Sequence, residues 1–527
     1  MRLSRNLPMA LPEALRDHRV VVVGAGIGGL VSALELAHRG MQVTVVEAGG
    51  APGGKMRQLV VDGATIDSGP TVFTMRWVFD QLLAELGTSL EEMLVLEPLG
   101  ILARHAWRGT DSTLDLFSDI GRSEQAIAAF SSPQEGRRFV AFCAQSRALY
   151  RALEGPYIRS QKPTLSSIAR DLGPRGLGVL MGLGPFATMW NALGKQFHDP
   201  RLQQLFARYA TYCGSSPWLA PATLMLVAQV EQDGVWSVRG GMHAVAVALA
   251  QLAQRMGVQF RYGTACTEIE VQGARASGVL LADGTRIAAD AVVFNGDAGA
   301  LAQGLLGRPA QGAAPRVKVG QRSLSALTWS MHTRPSGFAL VRHNVFFDSD
   351  YAGEFDDIFR KRTLPRHGTV YVCAQDRHDD AQQPPGCERL LCLVNAPPDG
   401  DTRPFDASET LACETHSLAL LRQCGLKLQP QSHQVVLTTP HGFNQLFPGT
   451  GGALYGRATH GWMSAFQRPS SQSRLAGLYL AGGSVHPGPG VPMAAMSGRL
   501  AAATLMAHLD STSRSRRVVI SGGMSTP

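Results

Sequence analysis

One stretch restricts what this chain can become more than any other. Residues 20 to 55 read VVVVGAGIGGLVSALELAHRGMQVTVVEAGGAPGGK. Val20 to Val23 is a short apolar run, the pattern of a parallel strand buried on both faces. It opens directly into Gly24-Ala25-Gly26-Ile27-Gly28-Gly29. Leu30, Ala33, Leu34 and Ala37 then recur at helical spacing and share one face. Gly40 stops that helix. Met41 to Val46 is a second apolar strand, closed by Glu47. Strand, glycine turn, helix, strand and acid together predict a dinucleotide site. Gly24 permits the tight turn, Gly26 lets the backbone approach a pyrophosphate, and Gly29 lets the helix pack on the strand. Gly28 completes the turn. The free N–H groups at the helix start face the phosphates. Glu47, about 20 residues past the first glycine, is placed to hold a ribose hydroxyl. Its charge repels a 2′-phosphate, which disfavours NADP here.

Around this unit, 527 residues with 45% hydrophobic and 17% charged side chains leave ample core for two or three subdomains. Residues 1–19 are basic, but Pro8, Pro12 and Glu13 interrupt any apolar segment, which predicts a flexible leader and no secretory signal. Residues 510–527 are polar and predict a loose tail. The eight cysteines are scattered without CxxC or zinc spacing, as expected of reduced thiols, and no metal site is expected. The formal net charge of +8 favours an anionic surface. No nucleic-acid motif is present, so a peripheral membrane contact is the expected partner.

Two further motifs narrow the cofactor. After Glu47 comes Ala48-Gly49-Gly50-Ala51-Pro52-Gly53-Gly54-Lys55. The later stretch GGKMRQLVVDGATIDSGPTVFT contains a hairpin turned at Asp62-Gly63 and then Gly69-Pro70-Thr71. Together these resemble the bacterial-type phytoene desaturase family of carotenoid flavoenzymes. In that family the glycine doublet precedes a basic residue near the FAD diphosphate, and the Gly-Pro-Thr segment lies beside the flavin. The family usually has Arg where this chain has Lys55, which keeps the charge and loses the planar fork. TMRWVFDQL, residues 74 to 82, is similar to the 1-hydroxycarotenoid 3,4-desaturase branch; Trp77 and Phe79 taken alone read as core. GLYLAGGSVHPGPGVPMAAMSG, residues 477 to 498, matches the family's C-terminal flavin signature, with Gly482, Gly483, Val491 and Pro492 before a helix at 493–508. Ala265 to Thr267, centred on Cys266, fall where the fold offers backbone to adenine. GVW…RGGM, residues 234 to 242, marks the family's return to the flavin domain, where Arg239 either reaches the flavin or caps a loop.

The resemblance implies an α/β, Rossmann-like, amine-oxidase-type FAD domain with a substrate domain of sheet and helices. The expected division is FAD-binding parts at 20–80, 236–300 and 471–509, a helical substrate or membrane-facing insertion at 81–235, and an antiparallel-sheet substrate domain at 301–470. Val258 to Ala298 reads as a further βαβ-like unit. Leu177 to Gly194 carries no charge and is about a membrane span in length. Pro185 and its glycines argue instead for a buried helix–loop–helix or a membrane-surface element.

No second GxGxxG unit stands out, so no separate NAD(P)H site is expected. The substrate is then the electron donor, with oxygen or a quinone as acceptor. Removing hydrogen beside a polyene needs little acid–base machinery, and no triad or carboxylate pair appears. A base is not assigned; His343, Asp348 and Arg239 are pocket candidates. The implied activity is FAD-dependent 3,4-desaturation of an acyclic 1-hydroxycarotenoid at the cytoplasmic side of an inner or photosynthetic membrane. A multi-step phytoene or neurosporene desaturase, an amine-oxidase-like enzyme and a non-catalytic prenyl-lipid carrier are the alternatives.

Overall fold

A computed structural model of the chain describes residues 18–182, 186–378 and 383–519. The leader expected at 1–19 therefore lies outside the described residues up to residue 17, and Arg19 already belongs to a strand.

One half of the molecule is built on a five-stranded parallel sheet. Its order is Leu478–Leu480, Ala291–Phe294, Arg19–Val23, Gln42–Val46, Gln259–Arg261. Strand alternation sends Val20 and Val22 to one face and Val21 and Val23 to the other. The first face is covered by three helices, Ile27–His38, His243–Arg255 and Val491–Val519. The second is covered by a three-stranded antiparallel sheet through Ile269, Val279 and Leu281. That sheet corrects the βαβ-like reading of Val258–Ala298. Turns at Gly273 and Asp283-Gly284 reverse the chain after single strands, so no crossover helix forms.

The two ends of the chain meet on this sheet. The Ile27–His38 helix crosses the Val491–Val519 helix at two glycines. A Cβ added to Gly498 would lie 2.3 Å from the Gly28 carbonyl oxygen. Ser32 Oγ donates to the Gly498 carbonyl at 3.0 Å, and Arg499 pairs with Glu35 at 2.7 Å. The C-terminal helix runs to Val519, past Asp510 where composition suggests a loose tail.

The second half is a mixed seven-stranded sheet: Val435–Thr438, Ser325–Thr333, Glu388–Ala396, Val370–Ala374, His343–Phe347, Ile101–Trp107, Thr113–Phe117. Its pairs are antiparallel except His343–Phe347 with Ile101–Trp107. One face, with Leu327, Trp329, Val372, Leu390 and Phe346, packs under the Ala407–Gln423 helix. The other face carries Thr328, Leu391, Leu393, Tyr371 and His343 and lines a cavity.

Helices from 120 to 232 roof this face, with Phe139, Phe142, Phe197 and Phe206 as their buried aromatic core. The 81–235 segment is thus not wholly helical, because Ile101–Trp107 and Thr113–Phe117 complete the seven-stranded sheet. Leu177–Gly194, part of which lies outside the described residues, is divided between the Leu165–Gly182 and Met189–Gln196 helices. Among the described residues no helix is long and apolar enough to cross a membrane.

Candidate active site

The Asp62-Gly63 hairpin forms as expected, with φ of 48° and 74° at its turn residues. It delivers Ser68-Gly69-Pro70-Thr71 across the open face of the seven-stranded sheet. Ser68 Oγ meets Ser330 Oγ at 2.7 Å, and Thr71 Oγ1 meets the Tyr371 hydroxyl at 2.7 Å. Gly69 is obligatory: a Cβ there would stand 1.9 Å from the Lys55 carbonyl oxygen.

Between the two sheets lies one continuous cavity of about 970 Å³. At one end it is a cradle of backbone. Gly24, Gly26, Gly28, Gly54, Gly69, Pro70, Gly482, Gly483, Val491 and Pro492 all line it. Gly26 N-caps the Ile27–His38 helix, and among the described residues no side chain bonds to the helix start, so its first N–H groups are left for a ligand. Gly29 does not line the cavity. Its Cβ would strike the Gly24 carbonyl oxygen at 2.1 Å, so it serves helix–strand packing.

Glu47 faces the cradle but is also a brace. Its carboxylate accepts from Ala25 N–H at 2.7 Å and from Gly49 N–H at 2.8 Å, one bond to each oxygen. Each oxygen keeps a second lone pair for a ribose hydroxyl. Glu47→Ala removes two charge-assisted bonds and the hydroxyl acceptor. FAD affinity should fall about tenfold to a hundredfold, read by flavin fluorescence titration of the apoprotein; unchanged affinity would remove the brace.

Lys55 enters the cavity and donates to the Leu454 carbonyl at 2.5 Å. Burial lowers its pKa, with Asp297 opposing the shift and Arg468 adding to it. Arg468, also lining the cavity, donates to the carbonyls of Tyr455 at 2.9 Å and Arg457 at 2.7 Å. Two cations beside an uncapped helix start and a glycine cradle fit a diphosphate. Cys266 and Ala265 line the same end. Burial pushes the Cys266 thiol up to about 12, so that side chain stays neutral.

The other arm is apolar, with Leu102, Leu153, Ile158, Leu224, Val227 and Leu393 among its walls. A small polar island interrupts it. Glu231 accepts from Tyr209 at 2.6 Å and Tyr212 at 2.9 Å, and Arg208 donates to Tyr212 at 2.7 Å. Burial raises the Glu231 pKa against those bonds. His343 also lines this arm, and its Nδ1 meets the Tyr371 hydroxyl at 2.7 Å.

Asp348 and Arg239 are not brought to the cavity. Asp348 lies one residue past the His343–Phe347 strand, where Arg108 Nη1 and Ser349 N–H hold its carboxylate at 3.1 and 2.6 Å. Arg239 is exposed and pairs with Glu97 at 2.8 Å. Asn295, Asp297, Arg468, Tyr371, Arg208, Tyr212 and Glu231 were not among the expected site residues. Tyr371 had a signal: in the VYVCA strand it alternates with Val370 and Val372. Arg468 had none, standing alone in a loop.

The family model for flavin-containing amine oxidoreductases matches residues 27–506. The chain is 68% identical over 518 residues to hydroxyneurosporene desaturase of Rubrivivax gelatinosus, covering 98% of each chain. It is 45% identical over 498 residues to hydroxyneurosporene desaturase of Cereibacter sphaeroides, covering 94% of this chain and 99% of that one. A solved oxidoreductase from Methanosarcina mazei shares the fold at 16% identity and a TM-score of 0.58, covering 93% of this chain and all of the other.

Proposed function

Since the chain belongs to the flavin-containing amine oxidoreductase family, on its carotenoid desaturase branch, we propose a specific reaction for it. It is an FAD-dependent desaturase that introduces the C3–C4 double bond into acyclic 1-hydroxycarotenoids. The observation that carries this reading is the continuity of the cavity, which leads from a glycine-built nucleotide cradle into an apolar arm without a break. Relatives that share the substrate class in their names, at 45% and 68% identity, support the choice of a hydroxylated carotenoid.

Bound FAD supplies the acceptor for hydrogen removed from the substrate. The protein's own residues hold and shield. The helix start, Lys55, Arg468 and Glu47 bind the nucleotide, while Ser68 to Thr71 are pinned to the substrate sheet. Leucine and valine walls exclude water and hold the hydrocarbon in place. A cation developing beside a polyene is delocalised along it, so few charged groups are needed.

The substrate reaches the arm from a membrane surface, and oxygen or a quinone accepts the electrons. Four large apolar residues support the membrane contact. Phe186 is 74% exposed, Leu219 49%, Leu165 47% and Trp462 45%. Leu165 and Trp462 also line the cavity, Phe186 packs edge-on against Trp462, and Gly461 N–H donates to the Leu219 carbonyl. Exposed apolar side chains beside and within the cavity lining suit a substrate soluble only in lipid. Phe186→Asp with Trp462→Asp should cut liposome co-sedimentation about tenfold or more. Full retention on liposomes would remove the patch from this role.

Offering the holoprotein phytoene, neurosporene and 1-hydroxyneurosporene in liposomes tests the reaction. Turnover confined to the hydroxylated substrate is expected, with the new bond at C3–C4. Equal turnover of all three overturns the assignment.

A further inference from the structure

An apolar arm grips a polyene without direction, because hydrophobic contact depends on area alone. A repetitive chain can then rest in several registers, each presenting a different carbon–hydrogen bond. Something directional must choose among them. The reaction constrains where that contact stands: C1, which carries the hydroxyl, is only a few bonds from C3 and C4. The polar partner must therefore lie beside the reacting carbons, not at the far end of the arm.

His343 meets this condition. It is 3% exposed and lines the cavity. Its Nδ1 is fixed by Tyr371, and Tyr371 is fixed by Thr71, at 2.7 Å for each bond. Thr71 ends the Gly-Pro-Thr segment, so this chain of bonds ties the imidazole to the cofactor side of the cavity. Its Nε2 is buried and has no hydrogen-bond partner among the described residues. Arg208, on the roofing helices, also lines the cavity, and its Nε is likewise buried without a partner. The charge of Arg208 reaches both His343 and Tyr371. A buried polar atom without a protein partner on a cavity wall is open to a hydrogen bond from whatever occupies the cavity.

We propose that the substrate's tertiary hydroxyl docks on His343 Nε2, and that this bond sets the register of the polyene. The proposal rests on the 1-hydroxycarotenoid reading above and deepens it. A hydroxyl both donates and accepts, so it satisfies Nε2 in either tautomer. If Tyr371 donates to Nδ1, Nε2 carries the proton and donates to the hydroxyl oxygen. If Nδ1 donates to Tyr371, Nε2 accepts the hydroxyl proton. A hydrocarbon end does neither and leaves a buried nitrogen stranded, which is how the site rejects neurosporene. His343 acts here as a specificity and positioning residue.

The test measures binding apart from turnover. Holoprotein is titrated with 1-hydroxyneurosporene and with neurosporene, following flavin fluorescence, and double-bond positions in the product are mapped by NMR. Wild type should bind the hydroxylated carotenoid about ten- to a hundredfold more tightly than the hydrocarbon. His343→Phe keeps an aromatic ring without its nitrogens and should bind the two equally, with double bonds spread over more than one position. His343→Gln should regain part of the preference. Tyr371→Phe, which frees the imidazole, should reduce the preference and serves if His343→Phe does not hold FAD. A His343→Phe or Tyr371→Phe protein that keeps the wild-type preference and a single product overturns the proposal. A wild type that binds the hydroxylated carotenoid preferentially but never desaturates it overturns the reaction and leaves the subsite standing.

Discussion

Gly28→Ala should yield a protein without flavin and with much reduced stability. An ideal Cβ at this position would lie 2.6 Å from Asn295 Oδ1, 2.8 Å from Gly482 N and 3.0 Å from the Ala494 carbonyl oxygen. Asn295 Oδ1 is a side-chain atom, though its amide is held by the Gly24 carbonyl at 3.3 Å, and the other two atoms are backbone. Gly482 N–H is itself committed to Ser497 Oγ at 2.7 Å. A single methyl therefore pushes apart the first and last segments of the chain at the rim of the cofactor cradle. Overpacking of this kind costs about 1–3 kcal/mol and occasionally more. Losing the cofactor removes a further ligand contribution, roughly 3 kcal/mol at a hundredfold excess over Kd. Flavin absorbance per polypeptide and the urea midpoint report the two effects. A yellow, stoichiometric Gly28→Ala protein with an unchanged midpoint would falsify the claim that both ends close on one site. Gly498→Ala opens the same crossing from the opposite helix, so the double variant should cost less than the sum.

Mild acid should destabilise the protein strongly, with buried histidines outweighing the buried acids Glu231 and Glu354, whose raised pKa values act in the opposite sense. His105, His343 and His486 are each 2–3% exposed. Burial drives the first two down to about 3, helped at His343 by Arg342 and Arg208 and at His105 by Arg208. Burial takes His486 down to about 4 against the bond that its Nε2 donates to the Ser160 carbonyl. All three are neutral when folded, whereas the unfolded chain takes up protons below about 6.5. The unfolded state thus binds more protons, and stability rises with pH through this window and falls as pH drops from about 6.5 toward 3–4. Each histidine contributes up to about 1.4 kcal/mol per pH unit, so the three together remove several kcal/mol between pH 6.5 and 5. That is a large part of an ordinary folding margin of roughly 5–15 kcal/mol. Urea unfolding at pH 7 and pH 5 measures it. A midpoint that does not move would mean that these imidazoles are solvated.

Some of this molecule was written plainly in the sequence. The glycine turn, the helix behind it and Glu47 have local signatures, because backbone φ, helical spacing and a close approach act within a few residues. The Asp62-Gly63 hairpin is legible for the same reason. The strand order, the three-stranded sheet on the second face and the strands at 101–117 were not. Each depends on pairing between residues far apart, and an apolar strand run reads the same whichever neighbour it joins.

The sequence by itself determined that this chain builds a dinucleotide cradle, through glycines whose missing side chains no other residue can imitate. That the nucleotide is a flavin, and that the closing helix belongs to the same site, was implied by the family resemblance. Only the tertiary structure decided which polar groups stand in the apolar arm. Asp348 and Arg239 had the right chemistry in sequence, yet partners nearby claimed them, Arg108 and Ser349 for one and Glu97 for the other. His343, Tyr371 and Arg208 gained their importance from a sheet face and a roof that come from separate parts of the chain. A polar side chain's role depends on what surrounds it after packing, and packing joins residues that the linear order keeps apart.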